Sequence, residues 1–336
     1  MAEVGVIGAG SWGTALAILL YQNGHQVTLV SPTKSDEQIE ETAARRITKL
    51  PDVHVPEEIF ITNKFQPALE KKDAVVLASP SPYTRSMLDK MKPFVKEGQK
   101  IVTVAKGIEE KTLLNQTEII LEKIPWADAA VLSGPSHAEE VSKGLPTSCV
   151  IGAATKKTAE YLQGLFMSPT FRVYTSPDMK GIELSASMKN VIALAAGTAD
   201  GLGCGDNAKA ALITRGIAEI ARLGQAMGCR AETFWGLSGI GDLIVTCASV
   251  HSRNRKAGYL IGKGYTMEEA MREVNMVVEG VYSAKAGREL SQKYHVETPI
   301  IEQINQVLFE KKSPQDALEE LMMRDKKMES DGQSWN

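Results

Sequence analysis

The sequence predicts an α/β domain built on a mostly parallel sheet, followed by an all-α domain. Three observations carry this. A Gly-x-Gly-x-x-Gly turn at residues 8–13 follows an apolar, β-rich run and enters a helical one. From residue 3 to about 175, short β-rich runs alternate with amphipathic helical stretches, the pattern of a sheet covered on both faces. After Pro177 the alternation stops, and helical patterns rich in Ala, Leu, Met and Ile continue to about Met323.

Taken in order, strands are expected at 4–7, 27–30, 74–78, 101–104, 129–132, 149–151 and 172–174. Helices are expected over 14–22 and 137–142, then over 178–196 behind the signal Ser176-Pro177-Asp178. Asp206 is expected to cap a helix ending near Gly224, and Ser252 one ending near Gly262. Residues 328–336 are polar without helical period and read as a frayed tail. The expected division is therefore 1–176 for a dinucleotide-binding, Rossmann-like domain, 177–327 for an all-helical substrate and catalytic domain, and 328–336 for the tail.

With 336 residues, 43% hydrophobic and 24% charged, the chain has material for two cores. Its net charge of -3 gives no global basic field, which argues against nucleic acid or an anionic membrane as partner. Met1-Ala2-Glu3 runs directly into the first strand, leaving no basic n-region or cleavable apolar segment, so a cytoplasmic location is expected. No apolar run reaches the roughly 18 residues that suggest a membrane span, so insertion is not expected. The four cysteines, Cys149, Cys204, Cys229 and Cys247, are far apart and lack metal-binding spacing, so neither a metal site nor a disulfide framework is expected.

The glycine turn has a specific chemistry. Gly8 permits the tight turn, Gly10 lets the backbone approach a pyrophosphate, and Gly13 lets helix and strand lie close. Free main-chain N–H groups at the helix start face the anion. The end of the second strand, Val30-Ser31-Pro32-Thr33-Lys34, lacks the Asp or Glu that holds the ribose hydroxyls in NAD-selective folds. Ser31 and Thr33 offer neutral hydroxyls, and Lys34 or the pair Arg45-Arg46 could approach a 2′-phosphate, although a solvated helix face suits that pair better. NADP or NAD is the expected cofactor, with NADPH used at least as well as NADH.

Ligands of open α/β sheets bind beyond the carboxyl ends of the strands. Lys106-Gly107 follows the fourth expected strand and puts a cation there, and Ser133-Gly134-Pro135-Ser136 follows the fifth with a turn and a hydroxyl before a helix. In the helix 178–196, Lys189 has Ser185, Ala186, Ile192 and Ala193 three and four positions away, a small apolar face on which an unpaired ammonium is costly. Desolvation there can bring its pKa into the range useful for proton transfer. Gly241-Asp242 is a further candidate. Ser252-Arg253-Asn254 brings a hydroxyl, a guanidinium and an amide to a helix start, a plausible phosphate clamp. His137 and His251 flank these loops, with capping or packing as their expected roles.

Together, Gly8-Ala9-Gly10-Ser11-Trp12-Gly13-Thr14-Ala15-Leu16, Lys106-Gly107, Ser133-Gly134-Pro135-Ser136, Lys189-Asn190-Val191-Ile192-Ala193, Gly205-Asp206-Asn207 with Thr214-Arg215-Gly216, Gly241-Asp242-Leu243, Ser252-Arg253-Asn254-Arg255 and Val278-Glu279-Gly280 resemble, in order, the motifs of the NAD(P)-dependent sn-glycerol-3-phosphate dehydrogenases. The resemblance implies that Lys189 is the proton acceptor. It implies that Lys106, Gly134, Ser136, Lys189, Asp242, Ser252, Arg253 and Asn254 surround glycerol 3-phosphate. It also implies that Ser11, Trp12, Lys106, Ala138, Arg253, Val277 and Glu279 touch the dinucleotide, with Gly8, Gly10 and Gly13 in the same fingerprint. A homodimer and a supply of glycerol 3-phosphate for glycerophospholipid synthesis are implied in the same way. The segment from Arg46 to Pro51 and Val30-Ser31-Pro32 depart from the family pattern near the adenosine end, which bears on cofactor preference and not on the reaction.

The expected reaction is hydride transfer to C2 of dihydroxyacetone phosphate, with Lys189 exchanging the proton and Asp242 orienting either Lys189 or the substrate hydroxyls. Two rival readings are a β-hydroxyacid dehydrogenase, which also pairs a dinucleotide domain with a helix lysine, and a non-catalytic NAD(P)H sensor. A phosphate on the substrate favours the Ser252-Arg253-Asn254 cluster over the first. The joint presence of Lys189, Lys106 and Asp242 argues against the second.

Overall fold

The computed structural model describes residues 1–32, 46–47, 50–326 and 328–329. Thr33, Lys34 and Arg45 lie outside the described residues, as does the expected tail apart from Met328 and Glu329. Ten strands are described: β1 Glu3–Ile7, β2 Gln26–Val30, β3 Arg46–Ile47, β4 Leu50–His54, β5 Phe60–Thr62, β6 Ala74–Leu77, β7 Lys100–Thr103, β8 Asp128–Ser133, β9 Thr147–Ala153 and β10 Phe171–Ser176. Eight of them form one sheet in the order β10-β9-β8-β7-β6-β1-β2-β5, parallel throughout except between β8 and β9.

The seven expected strands are all present, within one to two residues at most ends. Three short ones were not expected: β5 on the sheet edge and the two-stranded ladder β3 with β4. β5 has three residues, too few for a period-2 pattern to register, and Phe60 is more than half exposed. Alternation along the strands divides the apolar side chains between two layers. Val4, Val6, Val76 and Val102 pack under α1 (Ser11–Gln22) with Leu162 and Phe166 of α6 (Lys156–Phe166). Val75, Leu77 and Ile101 pack on the other face under α3 (Thr84–Met91) and α4 (Gln116–Lys123), with the small helices α2 (Gln66–Leu69) and α5 (Ala138–Val141) completing the layers.

The order reverses between β1 and β6: the chain leaves β1 toward β2 and β5, then returns to β6 and continues outward through β7 and β8. That switch point opens a crevice at the carboxyl ends of the strands.

From Met179 the chain is helical: α7 Met179–Leu202, α8 Gly205–Ala226, α9 Ala231–Phe234, α10 Asp242–Ala248, α11 Arg253–Gly262, α12 Met267–Val274, α13 Glu279–Lys293, α14 Pro299–Phe309 and α15 Pro314–Met322. Asp178 caps α7 by accepting from Gly181 N at 3.0 Å, as its position predicts. Ser252 caps α11 by accepting from Arg255 N at 3.2 Å. Asp206 does not cap α8: the helix starts at Gly205 with Cys204 before it, and Asp206 sits in the first turn, where its charge suits the helix dipole. No single helix among the described residues is long and apolar enough to cross a membrane.

Nearly every side of α7 is buried, and this helix is the axis of the second domain. Against it α11 runs in the same direction at main-chain contact. A Cβ on Gly258 would overlap the Leu194 carbonyl, one on Gly262 the Thr198 carbonyl, one on Gly197 the Arg255 carbonyl, and one on Gly201 the Tyr259 carbonyl. The start of α11 is thereby brought level with Lys189 and Asn190.

Candidate active site

The glycine turn sits at the switch point. Gly8 follows β1 at φ +115°, and a Cβ there would come within 2.8 Å of the Ala78 carbonyl oxygen at the end of β6. On Gly13 a Cβ would overlap the Gly8 carbonyl, so both residues are fixed by main-chain crowding. Gly10, in contrast, has nothing within 4 Å of the place its Cβ would take. It precedes α1 with no side-chain cap, and α1 has no acid in its first turn. Two locked glycines around an open one, before an uncapped helix start, leave the room and partial positive charge that a pyrophosphate requires. The residues therefore fit a dinucleotide. Trp12 packs partly buried on the core cluster that contains Ala138, at the start of α5.

Beyond the switch point, four chain segments converge. Lys106 follows β7, and its Nζ donates to the Gly134 carbonyl at 3.0 Å and to Asp242 Oδ2 at 2.7 Å. Gly134 follows β8 at φ +143°, where a Cβ would press on Cys149. Its carbonyl also accepts from Ser136 Oγ at 3.0 Å. From α7, Lys189 Nζ donates to Asp242 Oδ1 at 2.6 Å and to Thr246 Oγ1 at 2.6 Å. Thr246 in turn donates to the Asp242 carbonyl, one helical turn back. Asp242 owes its position to the wide turn Leu237–Gly241, whose Gly239 lies against the Phe234 main chain and delivers the carboxylate at the start of α10.

One buried carboxylate thus holds two lysines, one from each domain. Lys189 is 4% exposed, and burial brings its pKa down to about 8, with Asp242 opposing that shift and Lys106 adding to it. For Asp242, burial acts upward, but Lys106 and Lys189 outweigh it and hold the carboxyl below its ordinary value. A lysine near 8 can carry or release a proton at neutral pH, which a surface lysine cannot do. Among the described residues no group of three or more His, Cys, Asp and Glu is arranged to hold a metal ion.

Ser252, Arg253 and Asn254 do not present three groups side by side. Asn254 Nδ2 donates to Asn190 Oδ1 at 2.9 Å, and its Oδ1 accepts from Gly280 N at 2.9 Å, so this amide ties α11 to α7 and α13. Ser252 Oγ is taken as an acceptor by its own helix, retaining its hydrogen to donate. Arg253 alone is exposed, close enough to Glu279 to affect its carboxylate. Glu279 itself lies at the crevice, where Oε1 accepts from Ser81 N at 3.2 Å and Oε2 accepts from the Ser81 hydroxyl. Val277, partly buried, stands two residues before it. Pattern reading exposes a helix start but not which of its side chains are consumed by neighbouring helices.

Thr246 is the site residue that sequence reading missed. Its signal was present: it lies four positions after Asp242 in a helical run and so shares its face. His137 and His251 meet across the mouth with ring centroids 5.8 Å apart, a packing contact that joins the β8 loop to the loop before α11. Burial, with Lys189 and Lys106 nearby, pulls the His137 pKa below its ordinary value.

Two family models match the chain in turn: the NAD-dependent glycerol-3-phosphate dehydrogenase N-terminus over residues 3–159 and the C-terminus of the same family over 178–319. The chain is 59% identical over 335 residues to a glycerol-3-phosphate dehydrogenase [NAD(P)+] of Agathobacter rectalis, covering all of both chains. It is 56% identical to the enzyme of the same name from Fusobacterium nucleatum, again over all of both chains. Among solved structures, the glycerol-3-phosphate dehydrogenase of Coxiella burnetii is similar at a TM-score of 0.91 and 36% identity, covering 96% of this chain and 99% of that one.

Proposed function

The chain belongs to the NAD-dependent glycerol-3-phosphate dehydrogenase family, and from that premise we propose that it reduces dihydroxyacetone phosphate to sn-glycerol 3-phosphate, reversibly, with Lys189 as proton donor and acceptor. The observation that carries the assignment is the buried Lys189-Asp242-Lys106 array beside the dinucleotide turn. When bound, the nicotinamide supplies or accepts the hydride at C2. In reduction, the Lys189 ammonium gives its proton to the ketone oxygen and is left neutral; in oxidation, neutral Lys189 takes the hydroxyl proton. Asp242 holds Lys189 in place and Thr246 limits its rotation. Lys106 keeps a second positive charge where negative charge develops on the oxygen.

Gly8, Gly10, Ser11, Trp12 and Gly13 would hold the dinucleotide, with Lys106, Ala138, Arg253, Val277 and Glu279 along its path. Gly134, Ser136, Ser252, Arg253 and Asn254 complete the substrate pocket of this proposal, Asn254 with the N–H it has left. The division at 176/177, a homodimer and a cytoplasmic supply of glycerol 3-phosphate for glycerophospholipid synthesis extend the same reading. The deciding assay follows NADH and NADPH oxidation spectrophotometrically with dihydroxyacetone phosphate, dihydroxyacetone and a β-ketoacid. Turnover only with the β-ketoacid would transfer the protein to the rival reading, and no turnover with any would favour a sensor.

Two further outcomes follow from the site. NADPH should serve at least as well as NADH, because Ser31, directly after β2, is a buried neutral residue whose N–H donates to the Thr62 carbonyl at 2.8 Å, and among the described residues no carboxylate stands at the end of that strand for the ribose. A preference for NADH on the order of a hundredfold in kcat/KM would overturn this. Arg253→Ala should lower kcat/KM for dihydroxyacetone phosphate by about 10- to 150-fold, the worth of a charge-assisted hydrogen bond. Unphosphorylated dihydroxyacetone should lose much less. Equal proportional losses on both acceptors at saturating cofactor would remove Arg253 from the phosphate.

A further inference from the structure

The Lys106-Gly107 loop is pinned by more than the Asp242 carboxylate. Two consecutive carbonyls of the loop are held from different directions. Asn190 Nδ2, on α7, donates to the Lys106 carbonyl at 3.0 Å, and Gln116 Nε2, in the first turn of α4, donates to the Gly107 carbonyl at 2.7 Å. The other end of the Gln116 amide is fixed as well, its Oε1 accepting from the Thr84 hydroxyl. The start of α4 is in turn gripped from α7: Glu183 Oε1 accepts from Thr117 N at 2.9 Å, and Oε2 accepts from the Thr117 hydroxyl. Glu183 and Asn190 stand about two turns apart on α7, so they share one face of that helix, the face turned toward the α/β domain.

The bonds therefore close a circuit, from Asn190 to the Lys106 loop, to Gln116, to the first turn of α4, to Glu183 and back along α7. Lys189 lies on the return limb and Lys106 on the outgoing one. Gln116 is fully buried and Glu183 is 2% exposed. Burial pushes the Glu183 carboxyl up to about 7 against the pull of its Thr117 bonds. Neither side chain touches the lysines. A glutamate placed at such a desolvation cost, spanning two domains to cap a helix that itself holds the catalytic loop, needs an explanation beyond burial of apolar surface.

We propose that Glu183 and Gln116 are positioning residues for the reaction, setting the separation of Lys106 from the Lys189-Asp242 pair. The proposal rests on the functional reading above for its kinetic consequences, though not for its electrostatics. Lys106 at its present distance lowers the Lys189 pKa, so a loop released from the circuit lets that pKa rise above 8.

The test uses Glu183→Leu, Gln116→Met and Glu183→Gln in the full chain. Glu183→Leu leaves the first N–H groups of α4 without their acceptor, and Gln116→Met frees the Gly107 carbonyl. Each should lower kcat/KM for dihydroxyacetone phosphate by about ten- to a hundredfold, the cost of a misplacement near 1 Å. Cofactor affinity, read by nucleotide fluorescence, should fall by less than kcat/KM, since the glycine turn is untouched and only the Lys106 loop shifts. Glu183→Gln keeps an acceptor for Thr117 N and should retain most activity. The readout that a merely stabilising role would not move is the Lys189 titration, followed in the cofactor-free protein by NMR of carbon-13-labelled lysine and assigned with Lys189→Met. It should shift upward in Glu183→Leu and in Gln116→Met and remain in place in Glu183→Gln. A titration unmoved in Gln116→Met overturns the proposal even if Glu183→Leu does not fold. If the wild-type protein were inert toward dihydroxyacetone phosphate while both titrations moved, the circuit would stand and the functional reading would fall.

Discussion

Lys189→Met should fold, bind NAD(P)H with nearly unchanged affinity and lose most turnover, by about 10² to 10⁴-fold in kcat, the usual contribution of a positioned proton-transfer group. Met matches the unbranched lysine stem, so the small buried face of α7 around Ala186 and Ala193 keeps its packing. Asp242 stays ionised in the variant because Lys106 still faces its second oxygen at 2.7 Å. In the wild-type enzyme the two directions should respond oppositely to pH. Oxidation needs neutral Lys189, so kcat/KM for glycerol 3-phosphate should climb as pH rises through about 8, whereas reduction needs the ammonium and should decline over the same interval. A folded Lys189→Met variant with near-normal kcat, or a wild-type profile flat through that interval in both directions, would remove Lys189 from the mechanism.

Asp242→Asn should damage the protein in two separable ways. Asparagine can accept from only one of the two lysines and neutralises neither, so Lys106 and Lys189 face each other with the shared counter-charge gone. Because Asp242 acts to raise the Lys189 pKa, its loss should send that pKa below 8, and at pH 7 the proton donor for ketone reduction is depleted. A loss of about 10² to 10³-fold in kcat is expected from depleted proton donation together with lost orientation. Stability should fall too, since an uncompensated buried charge is left behind. Lys189 then has a folded-state pKa further beneath its unfolded one. The unfolded chain binds more protons between those two values, and unfolding free energy rises with pH there. The denaturation midpoint of Asp242→Asn should therefore recover relative to wild type as pH rises toward about 8, where the wild-type lysine begins to lose its own proton. A midpoint deficit independent of pH over that range would mean that the charge on Lys189 is not what Asp242 compensates.

The architecture was legible in the sequence because its signals are local. β1, the glycine turn and α1 announce themselves in one stretch of chain, and the change of periodicity after Pro177 marks where the sheet ends. Much of the site was legible for a different reason: Lys106, Gly134, Lys189 and Asp242 each carry a residue type that needs a reason to occupy its place. What could not be read was which partner each polar group finds. Asn254 offered an amide to a ligand on paper, yet it is bound to Asn190 and to the Gly280 N–H, contacts that depend on three helices meeting. Thr246 shares a helix face with Asp242, but its role shows only once Lys189 is placed opposite it. Glu183 gave no signal at all, since a carboxylate in a helix reads as a solvated face until the α4 start is found above it.

Helices α7 and α11 touch through their main chains at four glycines, and this contact limits what the site can become. Ordinary helix pairs are spaced by side chains, so a substitution can widen or narrow the gap by a fraction of an ångström. At these four positions no side chain stands between them to exchange. The offset between the backbones that carry Lys189 and Arg253 is held by peptide units, a gauge without an adjusting screw. Directed evolution toward a longer phosphorylated ketone should accordingly find no productive step among Gly197, Gly201, Gly258 and Gly262. Gains would come instead from Ser136 and His137, half-buried in the loop after β8, where side-chain volume can change while the gauge holds.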